Sequence, residues 1–229
     1  MNKTIHSVLF VGLSAVAATS VQAADTSRFF TGETATTLKN DAVSLDLTYF
    51  ASFGFAQSLR AGAFGGEIML NSASDPHTGF IDTSIGYKKR IGKGLSAYGV
   101  VSHHDDGIVA NSATNFAIGA AYTMKSGDIT FNLNPEFVTD DGGKNGRGDK
   151  STLFIKGLAA YKLKQMPVSL VAEIVLDNND LVERNVNVGV RWQPKNNLTL
   201  DFIIYHDTGI PGSDPITGLP GTVVVNYLF

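Results

Sequence analysis

The chain has 229 residues, a formal net charge of −3 and no cysteine. The missing cysteines exclude a disulfide framework and a thiolate metal site, and the weakly acidic balance argues against nucleic acid as a partner. Apolar residues make up 43% of the chain, yet after Ala24 no run approaches the ~18 apolar residues of a membrane-crossing helix.

Residues 1–23 read as a secretory signal peptide. Lys3 supplies a basic start, Val8 to Ala18 an apolar middle, and Val21-Gln22-Ala23 a small-residue cleavage site. The apolar stretch is about half the ~20 residues a spanning helix needs. Residues 24–229 are then expected to form the mature domain.

From there the dominant period is two. Val43, Leu45, Leu47 and Tyr49 alternate with Ser44, Asp46 and Thr48. The same pattern recurs from Ile129 to Asn134, Val168 to Asp177, Asn185 to Trp192 and Leu198 to Tyr205. Period two means strands with one apolar and one polar face. These runs approach the ~9–11 residues that a tilted strand uses to cross hydrocarbon, longer than the ~5–6 common in soluble sheets. The predicted strands are 29–38, 42–52, 58–71, 79–91, 94–104, 112–124, 128–138, 151–163, 168–177, 183–193, 198–207 and 219–229. Lys39-Asn40-Asp41 would be a very short outer loop, and the Gly/Ala-rich region 50–64 sets no clear register. The prediction is an all-β, antiparallel, transmembrane barrel of twelve strands, or ten if those two places fail.

Tyr49, Tyr87, Tyr122, Tyr161, Trp192 and Tyr227 recur at intervals of about one hairpin, each near a strand end. Such rings favour the membrane–water interface, so these six are expected to form an aromatic girdle. Short turns follow at 91–94, 125–127, 164–167 and 194–197. Longer linkers rich in Gly, Asp, Asn, Ser and Pro span 72–78, 105–111, 139–150 and 208–218. Short turns on one side and long loops on the other match periplasmic and extracellular ends.

If the apolar parity faces lipid, the other parity faces the lumen. It carries Asp46, Asp82, Lys88, Arg90, Glu136, Lys156, Glu173, Arg191 and Asp201. Arg or Lys placed in hydrocarbon would cost ~2–4 kcal/mol at the midplane. A lumen of eight strands is filled by side chains, whereas twelve leave room for water. The expectation is a wet channel with weak selectivity and a slight cation preference, against a closed barrel whose lumen charges simply pair.

Val223, Val225, Tyr227 and Phe229, alternating with Val224, Asn226 and Leu228, resemble the C-terminal signal of Gram-negative outer-membrane β-barrel proteins. The resemblance implies that Phe229 is read by the barrel-assembly machinery and that outer-membrane lipids surround the wall. In size the chain is similar to the small twelve-stranded monomeric porins, which implies a monomer passing small polar solutes or ions. A mixed lining does not suit an acidic-sugar porin, because rings of Arg and Lys select anions.

Two further segments bear on chemistry. His104-Asp105-Asp106-Gly107-Ile108 and His206-Asp207-Thr208-Gly209-Ile210 lie where outer-membrane lipid hydrolases carry His-x-Ser, with Asp106 and Thr208 in place of the serine. Asp140 to Asp149 holds oxygen ligands and glycines but lacks the spacing and closing Glu of a calcium loop. No enzyme activity, metal or cofactor is expected; the alternatives to a channel are a structural or adhesive barrel and, less favoured, the hydrolase.

Overall fold

The structure, a computed structural model, describes residues 28–29, 32–50, 54–75, 80–105, 112–139, 151–178, 185–207 and 216–229. The predicted signal peptide and residues 140–149 lie outside the described residues, as do Asp106 and Thr208. Fourteen strands follow in chain order: β1 (Arg28–Phe29), β2 (Gly32–Glu33), β3 (Val43–Phe50), β4 (Gly54–Ala63), β5 (Gly66–Asp75), β6 (Phe80–Gly92), β7 (Leu95–Asp105), β8 (Ser112–Ser126), β9 (Ile129–Val138), β10 (Thr152–Lys162), β11 (Val168–Asp177), β12 (Asn185–Lys195), β13 (Leu198–Asp207) and β14 (Ile216–Leu228).

Strands β3 to β14 form one closed barrel in which each strand pairs antiparallel with the next in sequence and β14 closes against β3. The seam is β14 against β3, in register from Leu228↔Ser44 to Thr222↔Phe50. The backbone N–H of Phe229 extends it, donating to Val43 O at 2.8 Å. Closure leaves no unpaired sheet edge, the condition for β-structure in hydrocarbon.

The period-two pattern becomes the two sides of this wall. On β9, Ile129, Phe131, Leu133 and Phe137 are exposed while Asn132 and Asn134 are buried; on β11, Leu170, Ile174 and Leu176 face out while Glu173 faces in. A protein whose exposed side is its apolar side is matched to lipid.

The reading of 29–38 as a barrel strand is corrected by the structure. Arg28–Phe29 and Gly32–Glu33 pair only with each other, and the chain from Gly32 to Leu38 lies inside the barrel. One parity is Phe29, Thr31, Glu33, Ala35 and Thr37, the other Phe30, Gly32, Thr34, Thr36 and Leu38. Large apolar side chains stand only at the ends, so neither parity offers a continuous stripe that hydrocarbon would accept.

The predicted strand 58–71 is likewise two strands, β4 and β5. They are joined by Phe64 and Gly65, with φ of 54° and 72°. Two successive positive φ values are the geometry of a tight two-residue hairpin turn. One strand is lost and one gained, so the barrel keeps twelve. Lys39-Asn40-Asp41 is not an outer loop: Asp41 N donates to Gly62 O at 3.0 Å, at the end of the barrel that carries the short turns.

Candidate functional site

A network of charges grips the lumen segment through Glu33. Glu33 meets the Arg60 guanidinium in a bidentate pair, Nη2 to Oε1 at 2.6 Å and Nη1 to Oε2 at 2.8 Å. Lys88 Nζ donates to Glu33 Oε2 at 2.9 Å. Arg60 Nη1 also donates to Glu67 Oε1 at 2.7 Å, and Lys88 Nζ lies 3.4 Å from the same oxygen. Asp46 Oδ2 stands 3.5 Å from Arg60 Nε. Arg60, Lys88 and Glu67 are at most 1% exposed. Charge-assisted bidentate contacts are among the strongest hydrogen bonds available, and they fix geometry as well as energy.

The rest of the segment is held by side chains of the inner wall. Glu33 N donates to Asn134 Oδ1 at 3.0 Å, and Asn132 Nδ2 donates to Glu33 O at 2.6 Å. Ser96 Oγ donates to Thr34 O at 3.2 Å. Ala35 N donates to Thr123 Oγ1 and Leu38 N to Glu67 Oε2, both at 2.9 Å. Side chains thus satisfy backbone groups that a β-ladder would otherwise have to satisfy, as buried N–H and C=O groups require.

The segment divides the lumen. On the long-loop side lies a cavity of about 410 Å³, lined by Glu33, Ser58, Asn71, Asp82, Tyr98 and Lys156 among others. On the short-turn side lies one of about 420 Å³, lined among others by Thr34, Thr36, Thr123, Lys162, Arg191 and Thr199.

Of the residues assigned to the lumen, Asp46, Lys88, Glu173, Arg191 and Asp201 are buried. Asp82, Glu136 and Lys156 are half-buried around the 410 Å³ cavity. Opposite charges are brought together: Arg191 and Asp201 are register partners joined at 2.7 and 2.6 Å. Lys156 Nζ reaches Glu136 Oε1 at 2.9 Å, and Tyr98 OH donates to Glu136 Oε2 at 2.7 Å. Glu173 accepts from Asn187 Nδ2 at 2.9 Å, and Asp46 accepts from Asn226 Nδ2. Arg90 is placed elsewhere. It is exposed beside the β6–β7 turn, where its Nε donates to Gly92 O at 3.2 Å, because two residues beyond Lys88 the strand has reached the rim.

Of the six aromatic residues, Tyr87, Tyr122, Tyr161, Trp192 and Tyr227 lie towards the short-turn end. Tyr122, Tyr161, Trp192 and Tyr227 are exposed there, and Tyr87 OH donates to Phe64 O at 2.9 Å. Tyr227 and Phe229 stack edge to face with centroids 4.8 Å apart. Tyr49 belongs to the opposite end: it pairs with Phe55 and Val223 near the long-loop end of its strand.

Sequence reasoning missed Glu33, Arg60, Glu67 and Tyr98. One signal for two of them was present. Arg60 and Glu67 are an odd number of residues apart, so an unbroken strand would push one of them into lipid. A turn or a bulge between them is needed for both to face inward.

No protein-family model and no curated protein matches the chain. Its fold has solved counterparts. The KdgM porin covers 82% of this chain and 98% of its own, at 9% identity and a TM-score of 0.50. The KdgM porin in complex with disordered oligogalacturonate gives the same coverage and identity with a TM-score of 0.52. The NanC porin covers 81% and 97% at 9% identity with a TM-score of 0.47. For the two KdgM structures the likeness is one of fold: the chain is a small twelve-stranded barrel of porin-like architecture.

Proposed function

We propose that this small porin-like barrel is an outer-membrane channel that passes small hydrophilic solutes by passive diffusion. The supporting observation is the inner wall: charged and amide side chains face two cavities of about 410 and 420 Å³ while the apolar parity faces outward. Its charged groups would tune ion preference and take part in no reaction. Export would remove residues 1–23, outer-membrane lipids would surround the wall, and the C-terminal strand ending at Phe229 would be read during assembly. The likeness in size to small monomeric porins makes a monomer the expected working unit.

The charge pattern narrows the solute class. Arg60, Lys88, Lys156 and Arg191 each carry an acidic partner in the lumen. A polyanion would have to displace those partners one by one. Small neutral or weakly charged solutes therefore suit this lumen better than an acidic oligosaccharide. A lipid hydrolase is not proposed, because Asp106 and Thr208 replace the serine that His-x-Ser chemistry uses.

The segment between the cavities favours a second reading, a non-conducting structural barrel. Planar-bilayer recording of the refolded protein in asymmetric KCl separates the two. Discrete steps with a small reversal potential support the channel. Silence from protein and from its lumen variants supports the structural barrel.

A further inference from the structure

We infer that residues 32–38 are an autoinhibitory plug and that Glu33 is its latch. The inference rests on the channel reading and adds the element that sets how far the channel is open.

Three observations carry it. The first is the manner of attachment. Between Glu33 and Leu38 the described contacts to the wall run through the side chains of Asn132, Asn134, Ser96, Thr123 and Glu67. The backbone pairing that closes the barrel does not include this segment. Withdrawing it leaves every barrel ladder intact, and water entering the lumen can take over each side-chain partner.

The second is charge. The wall members of the cluster are Asp46, Arg60, Glu67 and Lys88, two acids and two bases. They are balanced without Glu33. Removing one partner of a buried ion pair is normally costly because it strands the other. Here Arg60 and Lys88 retain Glu67, so departure of Glu33 strands no cation. The latch is strong enough to hold and is not indispensable to the wall behind it.

The third is the hinge. The segment leaves the lumen at the short-turn rim through Asn40 and Asp41, where Asp41 has φ of 68°. There the backbone of Lys39 passes directly over Gly62, and a Cβ on Gly62 would collide with the Lys39 carbonyl. A close approach that only glycine permits marks where the segment is seated and how it can be unseated without touching a charge.

The test is single-channel recording on the full mature chain with Glu33→Ala, Glu33→Gln and Gly62→Val. Each variant is first checked for the compact band that a folded barrel gives on unheated denaturing gels. Glu33→Ala and Gly62→Val are expected to raise conductance at least twofold over wild type, with Glu33→Gln between. The chain has no cysteine of its own, so an Ala35→Cys/Thr123→Cys pair can tie the segment to the wall. Oxidation should hold conductance at or below wild type even with Glu33→Ala present, and reduction should release it. A single Thr34→Cys should react slowly with a membrane-impermeant maleimide, and at least tenfold faster when Glu33→Ala is added. Conducting wild type with unchanged conductance and labelling in every variant overturns the latch while leaving the channel. Silence in wild type and in all opened variants overturns both.

Discussion

Arg60 and Glu67 stand on the two arms of the β4–β5 hairpin and hydrogen-bond diagonally across it at 2.7 Å. The pair is buried, and Glu67 serves twice: it neutralises Arg60 and Lys88 and accepts from the backbone of Leu38. Glu67→Leu is expected to lower stability by about 1–3 kcal/mol: Glu33 still pairs with Arg60 and Lys88, but the buried N–H of Leu38 loses its acceptor. Glu67→Gln should cost less, because it keeps an acceptor. Urea unfolding in lipid vesicles, followed by tryptophan fluorescence from Trp192, measures both.

Arg191 and Asp201 offer a cleaner pair, on β12 and β13 and outside the Glu33 ion-pair cluster, joined by two hydrogen bonds between register partners. Asp201→Leu alone leaves a guanidinium with its main partner gone. Arg191→Met together with Asp201→Leu removes both charges and should recover at least half of the single-mutant loss. A double-mutant cycle by equilibrium unfolding gives the coupling; an additive result would mean the pair stabilises nothing.

Ion preference should respond to position and not merely to charge. Lys156 borders the 410 Å³ cavity beside Glu136, whereas Arg90 is exposed at the rim. Lys156→Glu is expected to move the reversal potential towards cations, as rings of acids do in pores. Arg90→Glu should move it much less. Equal shifts would put Arg90 in the conduction path.

The wall's two faces can be read directly on β11. Single cysteines at successive positions from Leu170 to Leu176, spin-labelled in vesicles, should alternate between lipid and aqueous relaxation agents. Positions 170, 172, 174 and 176 are expected to report lipid, and 171, 173 and 175 the lumen, following the exposed and buried alternation of the strand.

Strand β11 was legible because its outward positions are apolar and Glu173 stands inward, so sequence and wall repeat together. Strands β9 and β13 are read the same way. The segment 29–38 misled because its length suits a strand while its side chains suit neither lipid nor a soluble core. What holds it is a long-range contact, Glu33 to Arg60 and Lys88, that no local pattern encodes. Tyr49 misled for another reason. Its distance to Tyr87 looks like one hairpin, but the chain between them turns at both ends of the barrel, through β4 and β5, so the two rings finish at opposite rims. The error at 29–38 and the missed turn at Phe64-Gly65 cancelled in the strand count. The number twelve was right while the membership was not.

The proposal that this barrel conducts is tested most directly by swelling of vesicles containing the purified protein, with neutral solutes of graded size. Uptake faster than in empty vesicles, falling with solute size and rising in Glu33→Ala, is the expected result. Swelling no faster than in empty vesicles for the smallest solute, in wild type and Glu33→Ala alike, would contradict it.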